Sequence, residues 1–247
     1  MSLPLLVTGC RGRMGQTVTA CAEADPDVSV AAGIDVGDSL PEAIVKAGAV
    51  IDFTLPHFTD ELLAACVEHR KILVMGTTGH SDAQLAAIRE ASAIIPIVHA
   101  PNFSVGVNTL FWLTRRATEI LGPDFDLEVV EMHHRHKKDS PSGTARRLAE
   151  ILADVRQLSY DQDVRHGRFG DVGARTPTEI GMHAVRGGDV VGDHTVIYAN
   201  DGERVELTHK ASSRQTFANG AIRAAKWVAA HGHQSGLYDM EDVLGLR

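Results

Sequence analysis

The chain is 247 residues long, 44% hydrophobic, with a formal net charge of -8. That length holds one large domain or two ordinary ones, and the acidic balance excludes nonspecific binding to nucleic acid or an acidic membrane surface. Cys10, Cys21 and Cys66 show no paired spacing, and the opening apolar run Leu3 to Val7 is too short for a signal peptide or membrane span, so a soluble cytoplasmic protein without disulfides is expected.

Leu5-Leu6-Val7 reads as a buried strand, followed by Gly9-Cys10-Arg11-Gly12-Arg13-Met14-Gly15 and a helix to about Ala24. A glycine-rich turn between a first strand and a first helix is where a doubly wound sheet receives a pyrophosphate. The pattern is GxxGxxG, a departure from GxGxxG, because Arg11 holds the middle position. Val28 to Ile34 is a second strand. Asp35 at its end, about 20 residues past the glycine turn, is placed to accept both hydroxyls of an adenosine ribose. Strands at Ala49 to Phe53, Ile72 to Met75 and Ile94 to Val98 alternate with helices at Thr59 to His69 and Ser81 to about Ala91. Such alternation predicts a parallel sheet with helices on both faces. Phe53-Thr54, Gly76-Thr77-Thr78 and Ala100-Pro101-Asn102-Phe103 then fall on the ligand rim beyond the strand ends.

Ser104 is expected to cap a long helix with Val107, Leu110, Phe111, Thr114, Ala117, Ile120 and Leu121 as its buried stripe, stopped by Gly122-Pro123. In the strand that follows, Leu127, Val129, Val130 and Met132 are expected to be buried. Residues 156–176 read as a mobile loop or extended arm. Ile180 to Arg186, Asp189 to Ala199 and Glu203 to His209 read as strands. Gly187-Gly188 and Asn200-Asp201-Gly202 are read as turns joining antiparallel partners. Ala218 to Ala230 is a helix, and Leu237 to Leu246 is a short acidic-apolar segment.

The stretch from Glu128 to Ala145 carries the chemistry. Its strand releases His133, His134, Arg135, His136, Lys137 and Lys138 together, and Asp139-Ser140-Pro141-Ser142 leads into a helix from Gly143 to about Asp154. Ser142 is the expected N-cap, which presents the amides of Gly143 and Thr144 as donors at the positive helix end. Cations followed by a helix N-terminus suit an anion, and imidazoles there suit proton transfer on it. On the residues alone, two other readings stay open. One is a solvated loop; the other is a metal site on His133, His134 and His136, which the cationic neighbours disfavour.

The run 128–145 resembles the signature of the 4-hydroxy-tetrahydrodipicolinate reductase (dihydrodipicolinate reductase) family of lysine and diaminopimelate biosynthesis. Four further segments share the resemblance, in the expected order across nearly the whole chain: Gly9 to Gly15, Gly76-Thr-Thr-Gly79, Asn102 to Asn108 and His209 to Gly220. It implies an α/β fold, a Rossmann-like doubly wound parallel sheet in a dinucleotide-binding domain of residues 1–103 and 215–247. Residues 104–214 would form an inserted α+β domain with a mixed sheet, binding substrate and assembling homotetramers. Closure about the 103/104 and 214/215 crossings is expected to accompany reaction.

The same resemblance implies NAD(P)H-dependent reduction of a small dicarboxylate, with His133 as general acid/base, Lys137 as proton donor, and His134, Gly143 and Thr144 binding substrate. Coenzyme contacts would come from Gly9, Cys10, Arg11, Gly12, Arg13, Met14, Asp35, Gly76, Thr77, Thr78, Ala100, Pro101, Asn102 and Phe103. No metal, nucleic acid or membrane partner is implied. Where phosphate-binding relatives commonly carry a basic residue, Val36 follows Asp35. NADH is therefore expected to be preferred, with NADPH tolerated through Arg11 and Arg13. Two functions of other classes compete: a coenzyme-sensing regulatory protein without turnover, and a metal-dependent hydrolase or lyase at His133, His134 and His136.

Overall fold

A computed structural model describes residues 2–246. The chain divides into two compact units, Met1–Val105 with Arg214–Arg247, and Gly106–Ser213. In chain order the first unit opens with β1 (Leu3–Thr8), α1 (Arg13–Glu23), β2 (Val28–Ile34), α2 (Leu40–Ile44), β3 (Ala49–Asp52), α3 (Thr59–Glu68), β4 (Ile72–Met75), α4 (Asp82–Ser92) and β5 (Pro96–His99). After the crossing come α5 (Val105–Leu121), β6 (Asp126–His133), α6 (Gly143–Arg156), α7 (Tyr160–Asp163), β7 (Val164–His166), β8 (Ile180–Arg186), β9 (Gly192–Asn200) and β10 (Glu203–Ala211). The chain returns with α8 (Gln215–Ala230), β11 (Gly236–Tyr238) and α9 (Met240–Leu244). Among the described residues no helix is long and apolar enough to cross a membrane.

The first unit's sheet has the order β11-β5-β4-β3-β1-β2, with every pairing parallel. Its strands are apolar on both faces, and the two-residue period sorts them. Leu5, Val7, Ile51, Val74 and Val98 pack with α1 and α8, whereas Leu6, Val50, Leu73, Met75 and Ile97 pack with α2, α3 and α4. The chain order reverses between β1 and β3, which makes that gap the switch point where such sheets bind ligands. Gly15 lets α1 start against the preceding turn, because an added Cβ there would lie 2.1 Å from the Gly9 carbonyl oxygen. The terminal segment supplies an edge strand, β11, whose three residues are too few to show a period.

The second unit's sheet is mixed, in the order β10-β9-β6-β8-β7, with β6 parallel to β8 and antiparallel to β9. One face packs on α5 and α6: Leu127, Val129, Val196, Tyr198 and Met182 meet Phe111, Leu148 and Leu152. Each such side chain contributes about 1.5–3 kcal/mol on burial. Tyr198 fastens α5 to the sheet by donating to the Thr114 carbonyl (2.9 Å), and burial pushes its phenol up to about 12.

Four expectations change here. Gly187-Gly188 does not join neighbouring strands, because β6 lies between β8 and β9 and the 187–190 segment crosses over its end. The buried row of β6 is Leu127, Val129, Glu131 and His133, while Val130 and Met132 are only partly covered on the opposite face. Ile120 is 81% exposed, because the buried stripe of α5 ends at Thr118. Residues 156–176 are not simply a loop. They contain α7 and β7, and beyond these Arg168 and Arg175 clasp Glu128 on the sheet (2.7 and 3.2 Å).

Candidate active site

At the switch point of the first unit, Gly12 heads α1 without a side-chain cap, and its amide donates to the Gly9 carbonyl (2.9 Å). A cavity of about 710 Å³ opens there, and its walls include Gly9, Arg11, Gly12, Asp35, Phe53 and Thr54. Asp35 accepts from the amides of Arg11 (2.9 Å) and Val36 (2.8 Å), which hold its carboxyl below the ordinary carboxylate range. The Arg11 guanidinium pairs with Asp38 (2.7 Å). Arg13 is exposed at the first residue of α1, while Cys10 and Met14 pack against the core.

The neighbouring strand ends are joined by the buried Asp52 carboxylate. Its Oδ1 accepts from the hydroxyls of Thr8 (2.6 Å) and Thr54 (2.7 Å), and its Oδ2 from Thr77 (2.6 Å). The Asp52 carbonyl also accepts from the Gly76 amide (2.8 Å). Thr78 and Pro101 are exposed, Ala100 and Phe103 are buried, and Asn102 is half-buried with its Oδ1 on the Ser104 amide (2.8 Å). An uncapped helix start, a glycine turn that a Cβ would fill, and a ribose acceptor 2.9 Å from the Arg11 amide together fit a dinucleotide.

In the second unit the apolar face of the sheet turns polar at the end of β6. The row Leu127 and Val129 continues as Glu131 and His133, and His194 of β9 stands opposite Glu131. His133 is 8% exposed, with Nδ1 2.6 Å from Glu131 Oε2 and its ring edge-on to His194, centroids 5.1 Å apart. Arg186 of β8 holds both oxygens of Glu131 at 2.8 Å. Ser142 caps α6 by accepting from the Ala145 amide (3.2 Å), and its hydroxyl meets His194 Nε2 (3.1 Å). Burial, then the neighbouring His133, pushes His194 down to about 3, so this ring is neutral.

The basic residues that the sequence presents as one cluster part company. His133 turns inward, Lys137 is half-buried and pairs with Asp139 (2.9 Å), and Arg135, His136 and Lys138 are exposed. The rings of His134 and His136 stand 6.3 Å apart, and among the described residues no three His, Cys, Asp or Glu side chains could together hold a metal ion. Gly143 and Thr144 form the first turn of α6, as expected. Sequence reasoning missed Glu131, Arg186 and His194. The available signal was the strand period, which puts Glu131 on the same face as His133.

Two family models match the chain, "Dihydrodipicolinate reductase, N-terminus" over residues 3–103 and "Dihydrodipicolinate reductase, C-terminus" over residues 106–244. The chain is similar to the 4-hydroxy-tetrahydrodipicolinate reductase of Akkermansia muciniphila, 57% identical over 99% of this chain and 98% of the relative. It is also similar to the enzyme of that name from Laribacter hongkongensis, 46% identical over 99% of each. Among solved structures, a dipicolinate-bound dihydrodipicolinate reductase from Paenisporosarcina sp. TG-14 superposes with a TM-score of 0.79. That match is 25% identical and covers 97% of this chain and 98% of the other.

Proposed function

The chain belongs to the dihydrodipicolinate reductase family, and from that premise we propose that residues 133–144 bind its dicarboxylate substrate and move its proton. It is an NAD(P)H-dependent oxidoreductase that reduces 4-hydroxy-tetrahydrodipicolinate to tetrahydrodipicolinate in lysine and diaminopimelate biosynthesis. The observation that carries the site assignment is His133 at the polar end of a buried row, one nitrogen tied to Glu131, whose other oxygen accepts from the Ser142 amide at the start of α6.

When bound, the coenzyme supplies a hydride to one end of the substrate's conjugated imine. The protein's own residues must hold two carboxylates and deliver a proton at the other end. His133 exchanges that proton, because its imidazole can both accept and donate one and its Nδ1 is already tied to Glu131. Lys137 leaves Asp139 for a substrate carboxylate, and His134, Gly143 and Thr144 line the same position at the positive end of α6. Residues 104–214 carry these groups, while residues 1–103 and 215–247 hold the coenzyme through the glycine turn, Asp35, Gly76 to Thr78 and Ala100 to Phe103.

NADH is the preferred coenzyme in this reading, with NADPH tolerated. Asp35 and Asp38 repel a 2′-phosphate, and Arg11, a cation lining the same cavity, is already paired with Asp38. The test is a coupled assay that forms the substrate from pyruvate and aspartate semialdehyde and follows NADH and NADPH separately. A higher specificity constant is expected for NADH. One tenfold higher for NADPH, about 1.4 kcal/mol of discrimination, would overturn the preference, and no oxidation of either would overturn the site assignment. We further propose a cytoplasmic homotetramer built on the sheet face opposite α5 and α6, where Val130 and Ile197 are only partly covered and Val185 is exposed. Sedimentation velocity giving a single chain would remove the tetramer.

A further inference from the structure

We infer that Glu131 is a positioning residue for His133, fixing the tautomer and orientation of the imidazole so that Nε2 meets the substrate. The inference rests on the reading that His133 transfers the proton.

Glu131 is fully buried, in line with Leu127 and Val129. A carboxylate in a core position is costly unless its lone pairs are met. Here four donors meet it. His133 Nδ1 (2.6 Å) and Arg186 Nη1 (2.8 Å) reach Oε2, while Arg186 Nη2 (2.8 Å) and the Ser142 amide (3.1 Å) reach Oε1. Burial pushes Glu131 up, but Arg186, His133 and the Ser142 amide outweigh it and hold the carboxyl below its ordinary range. An ionised carboxylate only accepts, so the proton in the short contact belongs to His133 Nδ1. The lone pair of the neutral ring, or the second proton of the imidazolium, then lies on Nε2.

The far side of the ring meets no side chain at the strand position opposite. Opposite it stands Gly192, where an added Cβ would lie 3.0 Å from His133 Nε2 and 3.5 Å from His194 Cε1. The charged or titratable groups against His133 are Glu131 on its own strand and His194 on β9, with Arg186 of β8 on the far side of the same carboxylate and Lys137, paired with Asp139, acting on His194. His209 on β10 acts on His194 rather than directly on His133. Arg186 is anchored in turn by the carbonyls of Val185 and Asp139 (2.7 Å each). It keeps the carboxylate ionised where burial would otherwise protonate it. A purely structural Glu131 would use the same contacts to tie residues 139–142 to β8, and only the titration of His133 separates the two roles.

The experiment begins with the unaltered enzyme. With ¹⁵N-labelled histidine, neutral His133 is expected to report the Nδ1–H form, and the Nε2–H form would overturn the inference. Glu131→Gln is expected to lower kcat about 10²-fold or more while leaving the coenzyme KM unchanged. It should also move the alkaline limb of the kcat profile to lower pH, because the imidazolium loses its anionic partner. A folded variant with unchanged kcat and an unmoved limb would overturn the inference. Should that variant fail to fold, Glu131→Gln combined with Arg186→Met removes both charges and is expected to displace the limb the same way by less, since the lost carboxylate touches the ring and the lost guanidinium does not; a limb left in place would count against it. His133→Gln separates the two levels. Full activity there would end the proton-transfer reading itself, whereas an inactive His133→Gln beside an unaffected Glu131→Gln would end only the positioning role.

Discussion

Around position 133 the two nitrogens of the imidazole have different neighbours. Glu131 occupies Nδ1, and Gly192 puts no side chain against Nε2. Gly192→Ala would put a methyl 3.0 Å from that nitrogen, so the ring must shift. Because small misplacements of reacting groups cost about 10²-fold, kcat/KM for the dicarboxylate is expected to fall by roughly that factor, with coenzyme affinity by fluorescence titration unchanged. His133→Gln is expected to lower turnover by about 10²–10⁴ at constant coenzyme affinity. An equal loss of folding stability would make His133 structural instead. Lys137 rests on Asp139 at 2.9 Å, so Lys137→Ala should raise the dicarboxylate KM as well as slow the reaction, and kinetics unchanged in both would take Lys137 out of the site.

Among the elements, the segment after β7 depends most on charge. Burial alone would raise the Glu128 carboxyl, yet Arg168, His183 and Arg175 outweigh it and bring it from 4.5 to about 2. A depressed folded value stabilises the clasp above the ordinary value and loses that contribution as pH falls through about 2. Amide exchange in residues 167–179 is therefore expected to speed up as pH drops from 4.5 toward 2, after correction for intrinsic rates, and Glu128→Gln should show the faster exchange at neutral pH. Identical protection in the variant would remove the clasp. The first unit was legible from sequence because its strands are apolar on both faces and separated by helices, which leaves little freedom in pairing. The second was less so. Gly187-Gly188 marks a turn without saying what lies beneath it, and Val130 and Met132 look like core while Glu131, a carboxylate, takes the core position. His133 and Lys137 could be singled out as reactive types. Arg186 and His194 reach Glu131 and Ser142 from strands more than 50 residues away in sequence, and a periodicity read within one segment does not say which distant strand lies beside it.

Across the whole molecule the two ligands should leave separate footprints. Coenzyme is expected to slow amide exchange in residues 9–15 and 76–78, and pyridine-2,6-dicarboxylate in residues 134–144 and 187–192. Dicarboxylate protection elsewhere would move the substrate site. The crossing segment belongs in the second footprint because its backbone is stitched to the end of β6: Gly187 donates to the His133 carbonyl (2.9 Å), the Val190 carbonyl accepts from His134 (2.8 Å), and the Gly188 carbonyl accepts from Arg135 (3.2 Å). The length of this bridge thus bears on where the end of β6 is held. Lengthening it by a residue or two lets that strand tip relax away from its carboxylate anchor without touching any reactive group. Redesign toward bulkier heterocycles would begin there, with a graded family of bridge lengths, and leave the histidine itself alone.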